Sequence, residues 1–287
     1  MAKAASPDIA STLNREFLKE YTAEENVRRY RKETAGDGIS YLLDHDYGEI
    51  YLNAIDNFIP EARRRDGIRL WEFGCGAGMN LIHLVSLLKR RGIRVQSAYG
   101  TDFSEKLIDA ANRDAEKHLG REDAERVRFC VARNQNLIGD VMTASGTRRD
   151  ALAGSFDLVF GVNTMRYCHR LMNENECAAD VADLLTDGGV CIVIDMNDRF
   201  PAFRSRLRDR LTMDAKARYL PSLDEYARPF SSAGFEILEK KNFCWIPHSA
   251  NPRLLTACRT AAPILNLVAS PFAMRSLVVG RKSANAK

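Results

Sequence analysis

The 287-residue sequence has no uninterrupted apolar run of the roughly 18 residues that a membrane-crossing helix needs. Its first residues, Met1 to Ser11, hold no apolar signal-peptide core. The seven cysteines, at 75, 130, 168, 177, 191, 244 and 258, include no C-x-x-C pair. Neither a zinc knuckle nor a disulfide framework is therefore indicated, and no metal is expected. Free thiols in a reducing cytoplasm fit that spacing. Internal repeats and long low-complexity segments are absent. No sign of charge dominates: the formal net charge is +4, with 28% charged and 45% hydrophobic residues. That is the composition of an ordinary soluble globular protein, long enough for a sizeable core.

Two phosphate-binding signatures are missing too. In a G-x-G-x-x-G dinucleotide fingerprint the third glycine would fall at 79, which is Met79. No Gly-Lys-Ser/Thr ending marks a P-loop. What stands there instead is Ile68 to Phe73, an apolar run, then Gly74-Cys75-Gly76-Ala77-Gly78, then the apolar-periodic Leu81 to Leu88. This pattern predicts strand, tight turn and helix. Glycines let the main chain turn sharply and touch a ligand, and the free N–H groups of the helix face it. Alone the triplet is a weak signal, because a plain glycine-rich turn is the other reading.

The next strand, Val95 to Thr101, ends in Gly100-Thr101-Asp102-Phe103-Ser104. The C-terminal tip of a parallel strand borders the ligand crevice. An acid there can accept hydrogen bonds from both hydroxyls of a ribose, or it can simply cap the next helix.

Taken together, Glu72 to Gly78, the Gly-Thr-Asp102-Phe-Ser segment, Phe156-Asp157-Leu158-Val159-Phe160 and Leu184-Leu185-Thr186-Asp187-Gly188-Gly189 occur in a familiar order. Over residues 68 to 245 the chain resembles the class I S-adenosylmethionine-dependent methyltransferases. The resemblance implies a Rossmann-like α/β fold: seven strands, mostly parallel, with helices on both faces. It also implies S-adenosylmethionine as cofactor. Gly74, Gly76 and Gly78 would pack against its amino-acid and ribose parts, Glu72 would help fix the methionine end, and Asn80 joins that set. Asp102 would take the ribose hydroxyls and Phe103 would flank the adenine. The family often has an Asp after the third strand, where this chain has Arg133. Asn134 and Gln135 can reach the adenine edge in its place, although a turn-forming Asn is an equal reading.

About 60 residues precede the first sheet strand, and they have helical spacing. Two regions follow: an N-terminal helical extension over 1–60, and a methyltransferase domain over 61–287 with an insertion near 247–271. Such extensions often lie over the substrate mouth in the family. Tyrosines 21, 30, 41, 47 and 51 fall there and either line a pocket or pack onto the core. Residues 139–154 read as loop or short irregular helix, 161–170 as a loop beside the crevice, and 187–189 as a turn. Arg199 to Lys216 reads as helical and rich in arginine.

The loop at 161–170 offers Asn163 to the cofactor, and Tyr167 and His169 to catalysis. An imidazole titrates near neutrality, so His169 is the first choice for a base, should the acceptor need one; His248 is the second. A small-molecule acceptor methylated on oxygen, nitrogen or sulfur is the leading reading. The alternatives are an RNA cap-type guanine methyltransferase and a cofactor-binding subunit without turnover. A sequence pI near 8.7 with mixed charges, and no Asn-Pro-Pro-Tyr motif, argue against nucleic acid. The oligomeric state stays open.

Overall fold

A computed structural model describes residues 24–204 and 220–283. The expected helix over 199–216 and the polar tail lie largely outside these residues, as does Tyr21. The described chain begins with α1 (Glu24–Arg29), α2 (Asp37–Asp44), α3 (Asp46–Phe58) and α4 (Glu61–Asp66). The α/β alternation then runs β1 (Ile68–Phe73), α5 (Met79–Arg90), β2 (Val95–Asp102), α6 (Glu105–Leu119), β3 (Val127–Val131), α7 (Leu137–Ser145) and β4 (Phe156–Val162). It continues with α8 (Met165–Leu171), α9 (Glu174–Leu184), β5 (Leu185–Met196), α10 (Leu223–Ser232), β6 (Phe235–Phe243), α11 (Pro252–Ala269) and β7 (Arg275–Lys282).

The strands form one seven-stranded sheet in the order β3-β2-β1-β4-β5-β7-β6. The pairs among β1 to β5 are parallel, and β7 runs antiparallel to both its neighbours. From β1 the chain moves outward through β2 and β3, then returns to place β4 on the other side of β1. The strand order reverses at that point, and the crevice opens beyond the C-terminal ends of β1 and β4.

Alternation along each strand divides the core in two. Leu70, Leu158, Phe160, Ile192 and Leu277 face the layer that holds α2, α3 and α5. Trp71, Val159, Cys191, Val193 and Val278 face the layer of α7, α9 and α10. Buried on both faces, β4 and β5 read as nearly unbroken apolar runs. Trp71 anchors the second layer. It stacks on Tyr99 with ring centroids 5.3 Å apart, meets Phe156 edge-on, and donates its indole N–H to Thr101 Oγ1.

Three segments depart from the sequence reading. Residues 137–145 form the regular helix α7, whose Leu137, Ile138 and Val141 are buried. Helix α8 occupies much of the expected loop at 161–170. The expected turn at 187–189 is part of β5, where Gly188 takes a left-handed φ of 74° and the pairing with β4 shifts register. The insertion is present as α11, which has no buried residue. All seven cysteines are thiols. Among the described residues no helix is long and apolar enough to cross a membrane.

Truncating Trp71 would leave a large void beside the Tyr99 and Phe156 rings. Trp71→Ala is expected to cost about 3–5 kcal/mol of unfolding free energy, measured from urea denaturation. A loss below about 1 kcal/mol would contradict this packing.

Candidate active site

The crevice contains a cavity of about 1080 Å³. One end is built by the turn after β1 and the tip of β2. Gly74 and Gly76 line it, both with left-handed φ (62° and 55°). A Cβ on Gly74 would fall 1.9 Å from Thr164 Oγ1, so glycine is obligatory there. Asp102 links the turn to β2: its Oδ2 accepts the Gly76 N–H at 3.0 Å and its Oδ1 accepts the Ser104 N–H at 2.9 Å. Burial pushes its carboxyl up to about 6, against the opposing pull of those N–H groups. Phe103, Asn134 and Gln135 continue this wall. The Asn134 amide donates to Thr164 Oγ1 (3.3 Å) and leans on Cys168 Sγ (3.5 Å). Arg133 also lines the cavity, and its guanidinium is held by Asp140 at 2.8 Å.

The other end is lined by Val162, Asn163, Arg166, Tyr167, Met196 and His248. Asn163 adopts a left-handed φ of 56°, rare for a residue with a side chain. Its Oδ1 accepts from Arg166 (3.4 Å) and Arg275 (3.3 Å). Arg166 also donates to the Tyr167 hydroxyl at 3.0 Å. His248 pairs with the Tyr47 hydroxyl at 3.2 Å. Burial, then the charges of Arg275 and Arg166, hold the imidazole well below its usual proton affinity, so it is neutral.

The N-terminal segment closes the mouth with Arg28, Arg29, Tyr30, Thr34 and Ala35. Tyr30 lies above Gly76. This arm is tied down by Arg31, which donates to both carboxylate oxygens of Asp114 at 2.7 and 3.1 Å. Glu33 pairs with Lys117 beside it. Glu33, Asp114 and His118 have the spacing of metal ligands, but the first two already serve Arg31 and Lys117.

Residues 71–191 match the family model described as "Methyltransferase domain". Over this part the chain is similar to the class I S-adenosylmethionine-dependent methyltransferases. Solved structures share the fold at low identity. Magnesium protoporphyrin IX methyltransferase from Synechocystis PCC 6803, with bound SAH, is 14% identical over 94% of this chain and 100% of that one, with a TM-score of 0.58. Geranyl diphosphate C-methyltransferase from Streptomyces coelicolor A3(2) is 14% identical over 83% and 78%, with a TM-score of 0.52. The [4+2]-cyclase SpnF matches as well, at 14% identity over 82% and 81% and a TM-score of 0.51, so the fold alone does not name a reaction. No curated protein sequence matches the chain.

Nine sequence-predicted residues meet at the cavity: Gly74, Gly76, Asn80, Asp102, Phe103, Asn134, Gln135, Asn163 and Tyr167. Three do not. Glu72 is fully buried beneath the turn, with Oε1 accepting the Asn80 amide (2.9 Å) and Oε2 the Leu81 N–H (3.1 Å). It caps α5 and orients Asn80, which lines the cavity. Gly78 faces β3: a Cβ there would meet Phe129 at 2.6 Å, so its role is to let α5 approach the sheet. His169 points into the layer between α8 and α10, 3.5 Å from Glu174 and edge-on to Tyr226. A helix replaces the expected loop, and its turn carries His169 off the cavity while Tyr167 stays on it. His248, the second choice from sequence, is the imidazole that lines the cavity.

Sequence reasoning missed the arm's latch and Thr164. Asp114 was a visible signal, since it sits on the apolar face of α6 among Leu107, Ile108, Ala111 and Ala115. An acid at such a position needs a partner.

Burial pushes the Glu72 carboxyl up from 4.5 to about 8, with Asp102 nearby adding to it. Between those values the folded protein holds a proton that the unfolded chain has released, so this residue makes stability fall as pH rises. The urea midpoint is expected to decline more steeply over about pH 4.5–8 in the parent than in Glu72→Gln. Parallel curves would show that the Asn80 and Leu81 donors keep Glu72 ionised.

Proposed function

We propose that this methyltransferase moves the S-adenosylmethionine methyl group to an oxygen, nitrogen or sulfur of a small-molecule acceptor. The observation that carries this reading is a single cavity whose glycine-turn end runs into a pocket roofed by the N-terminal arm and the His248 loop. The residues present fit the cofactor. The Asp102 carboxylate accepts main-chain N–H groups, among them those of Gly76 and Ser104, and two carboxylate oxygens have further lone pairs to offer ribose hydroxyls. Gly74 and Gly76 allow close approach of the main chain, and Phe103, Asn134 and Gln135 offer a wall for the adenine. Two structural relatives named above are methyltransferases of magnesium protoporphyrin IX and of geranyl diphosphate.

The cofactor supplies an activated methyl group when bound. The protein's task is then alignment, because displacement requires the acceptor atom to stand opposite the carbon–sulfur bond. The strained Asn163 and the Tyr167 hydroxyl hold position at the junction of the two ends. Their geometry is set by Arg166. The arm, latched by Arg31 to Asp114, excludes water. His248, uncharged and backed by Tyr47, is the group that can take a hydrogen bond or a proton from the acceptor.

Asp102→Ala is expected to weaken binding of S-adenosylhomocysteine by about 1–3 kcal/mol in calorimetry, through unpaired ribose hydroxyls. Undiminished affinity would remove the ribose assignment.

Turnover of tritiated S-adenosylmethionine against a panel of small acceptors tests the reaction itself. With an acceptor in hand, His248→Gln is expected to lower kcat by about 10²-fold, the lower end of a general base's contribution. His169→Gln is expected to leave kcat unchanged. A His248 effect confined to KM would sink the proton-accepting role.

A further inference from the structure

The acceptor end of the cavity has an imbalance of charge. Arg275 lies on β7, opposite Met196 of β5 and Phe243 of β6, and is 2% exposed. The partner of its guanidinium is one neutral amide oxygen, Asn163 Oδ1 at 3.3 Å, and its Nε is buried with no hydrogen-bond partner. Asp195, the fully buried carboxylate on the neighbouring strand, is committed elsewhere. Its Oδ2 accepts the Arg166 main-chain N–H (3.0 Å), and its Oδ1 accepts Arg166 Nη1 (3.1 Å) and the Met196 N–H (2.8 Å). Asp46 is hydrogen-bonded to Cys244. Among the described residues no carboxylate forms an ion pair with Arg275.

A buried guanidinium facing only an amide is strongly unfavourable. Three residues that touch or neighbour it, Asn163, Met196 and His248, line the cavity. Asp102 is the one acid on the lining among the described residues, and it stands at the cofactor end. Arg166 reaches the same Asn163 oxygen from the cavity side, with its side chain 11% exposed. The two guanidiniums therefore converge on one Asn163 oxygen; Arg166 lines the cavity, and Arg275 is buried off its lining.

We infer that the methyl acceptor carries an oxyanion, a carboxylate or a phosphate, and that Arg166 on the cavity lining, with the buried charge of Arg275 beside Asn163, makes the cationic end that selects it. This rests on the cofactor occupying the glycine-turn end. The planar Arg166 guanidinium can offer donors to either oxyanion, and the anion supplies the negative charge that this end lacks. The acceptor atom is held in register because the anion is anchored beside Asn163, at the junction of the two ends. Neutral analogues leave the positive charge of this end uncompensated and are rejected for that reason.

The test is calorimetry on the full chain at low ionic strength, with and without saturating S-adenosylhomocysteine. Inorganic phosphate and acetate are titrated separately. Saturable binding of phosphate, acetate or both is expected, and the tighter one tells which oxyanion the site prefers. Arg275→Gln is expected to weaken that binding about tenfold, through loss of a buried positive charge beside the site, while Arg275→Lys keeps part of it. S-adenosylhomocysteine affinity is expected to stay unchanged in both variants. If Arg275→Gln does not fold by circular dichroism, Arg166→Gln takes its place with the same expected loss. Binding of neither anion, or equal binding by the Gln variant, would overturn the inference. Failure of the parent to bind S-adenosylhomocysteine would overturn the cofactor reading separately, because the anion titrations are also run without it.

Discussion

The carboxylate of Asp102 joins two parts of the chain that are distant in sequence. It accepts one N–H from the turn after β1 and another from the start of the segment leading into α6. These two bonds hold the glycine turn against the tip of β2, and the cavity's cofactor end is the space between them. Buried charge is costly, and here burial raises the proton affinity of the group. The two N–H donors offset part of that cost and aim the remaining lone pairs outward. A ligand with paired hydroxyls completes the set.

Everything beyond that end is arranged by topology. The reversal of strand order between β1 and β4 opens the crevice and places Asn163 across from Asp102. The antiparallel β7 brings Arg275 in beneath Asn163, from the far end of the sequence. The arm before α2 then covers the mouth, held by one buried acid on α6. Three segments remote in sequence thus close one space, and no local motif records it.

The turn, the strand tip and the seven-strand alternation were legible because each depends on local chemistry. Glycines at 74 and 76 mark the turn, and the acid at 102 marks the strand tip, whichever use each is put to. Apolar runs such as Phe156–Phe160 identify strands buried on both sides. The rest depended on partners the sequence does not show. Glu72 looked like a ligand group, but its side chain turns under α5 and satisfies Asn80 and Leu81. Gly78 looked like a third contact to the cofactor, but Phe129 occupies the space its Cβ would need. His169 and Tyr167 were indistinguishable as loop residues. Once 165–171 is helical, two positions of helical rotation separate a cavity residue from a packed one. The Arg275 problem was invisible until the strand pairing set it opposite Met196.

The most direct measurement is a crystal structure of the protein with S-adenosylhomocysteine. The account predicts the ribose hydroxyls on Asp102, the adenine against Phe103, and the amino-acid end over Gly74 and Gly76. A ligand bound elsewhere, or a ribose turned away from Asp102, would contradict it.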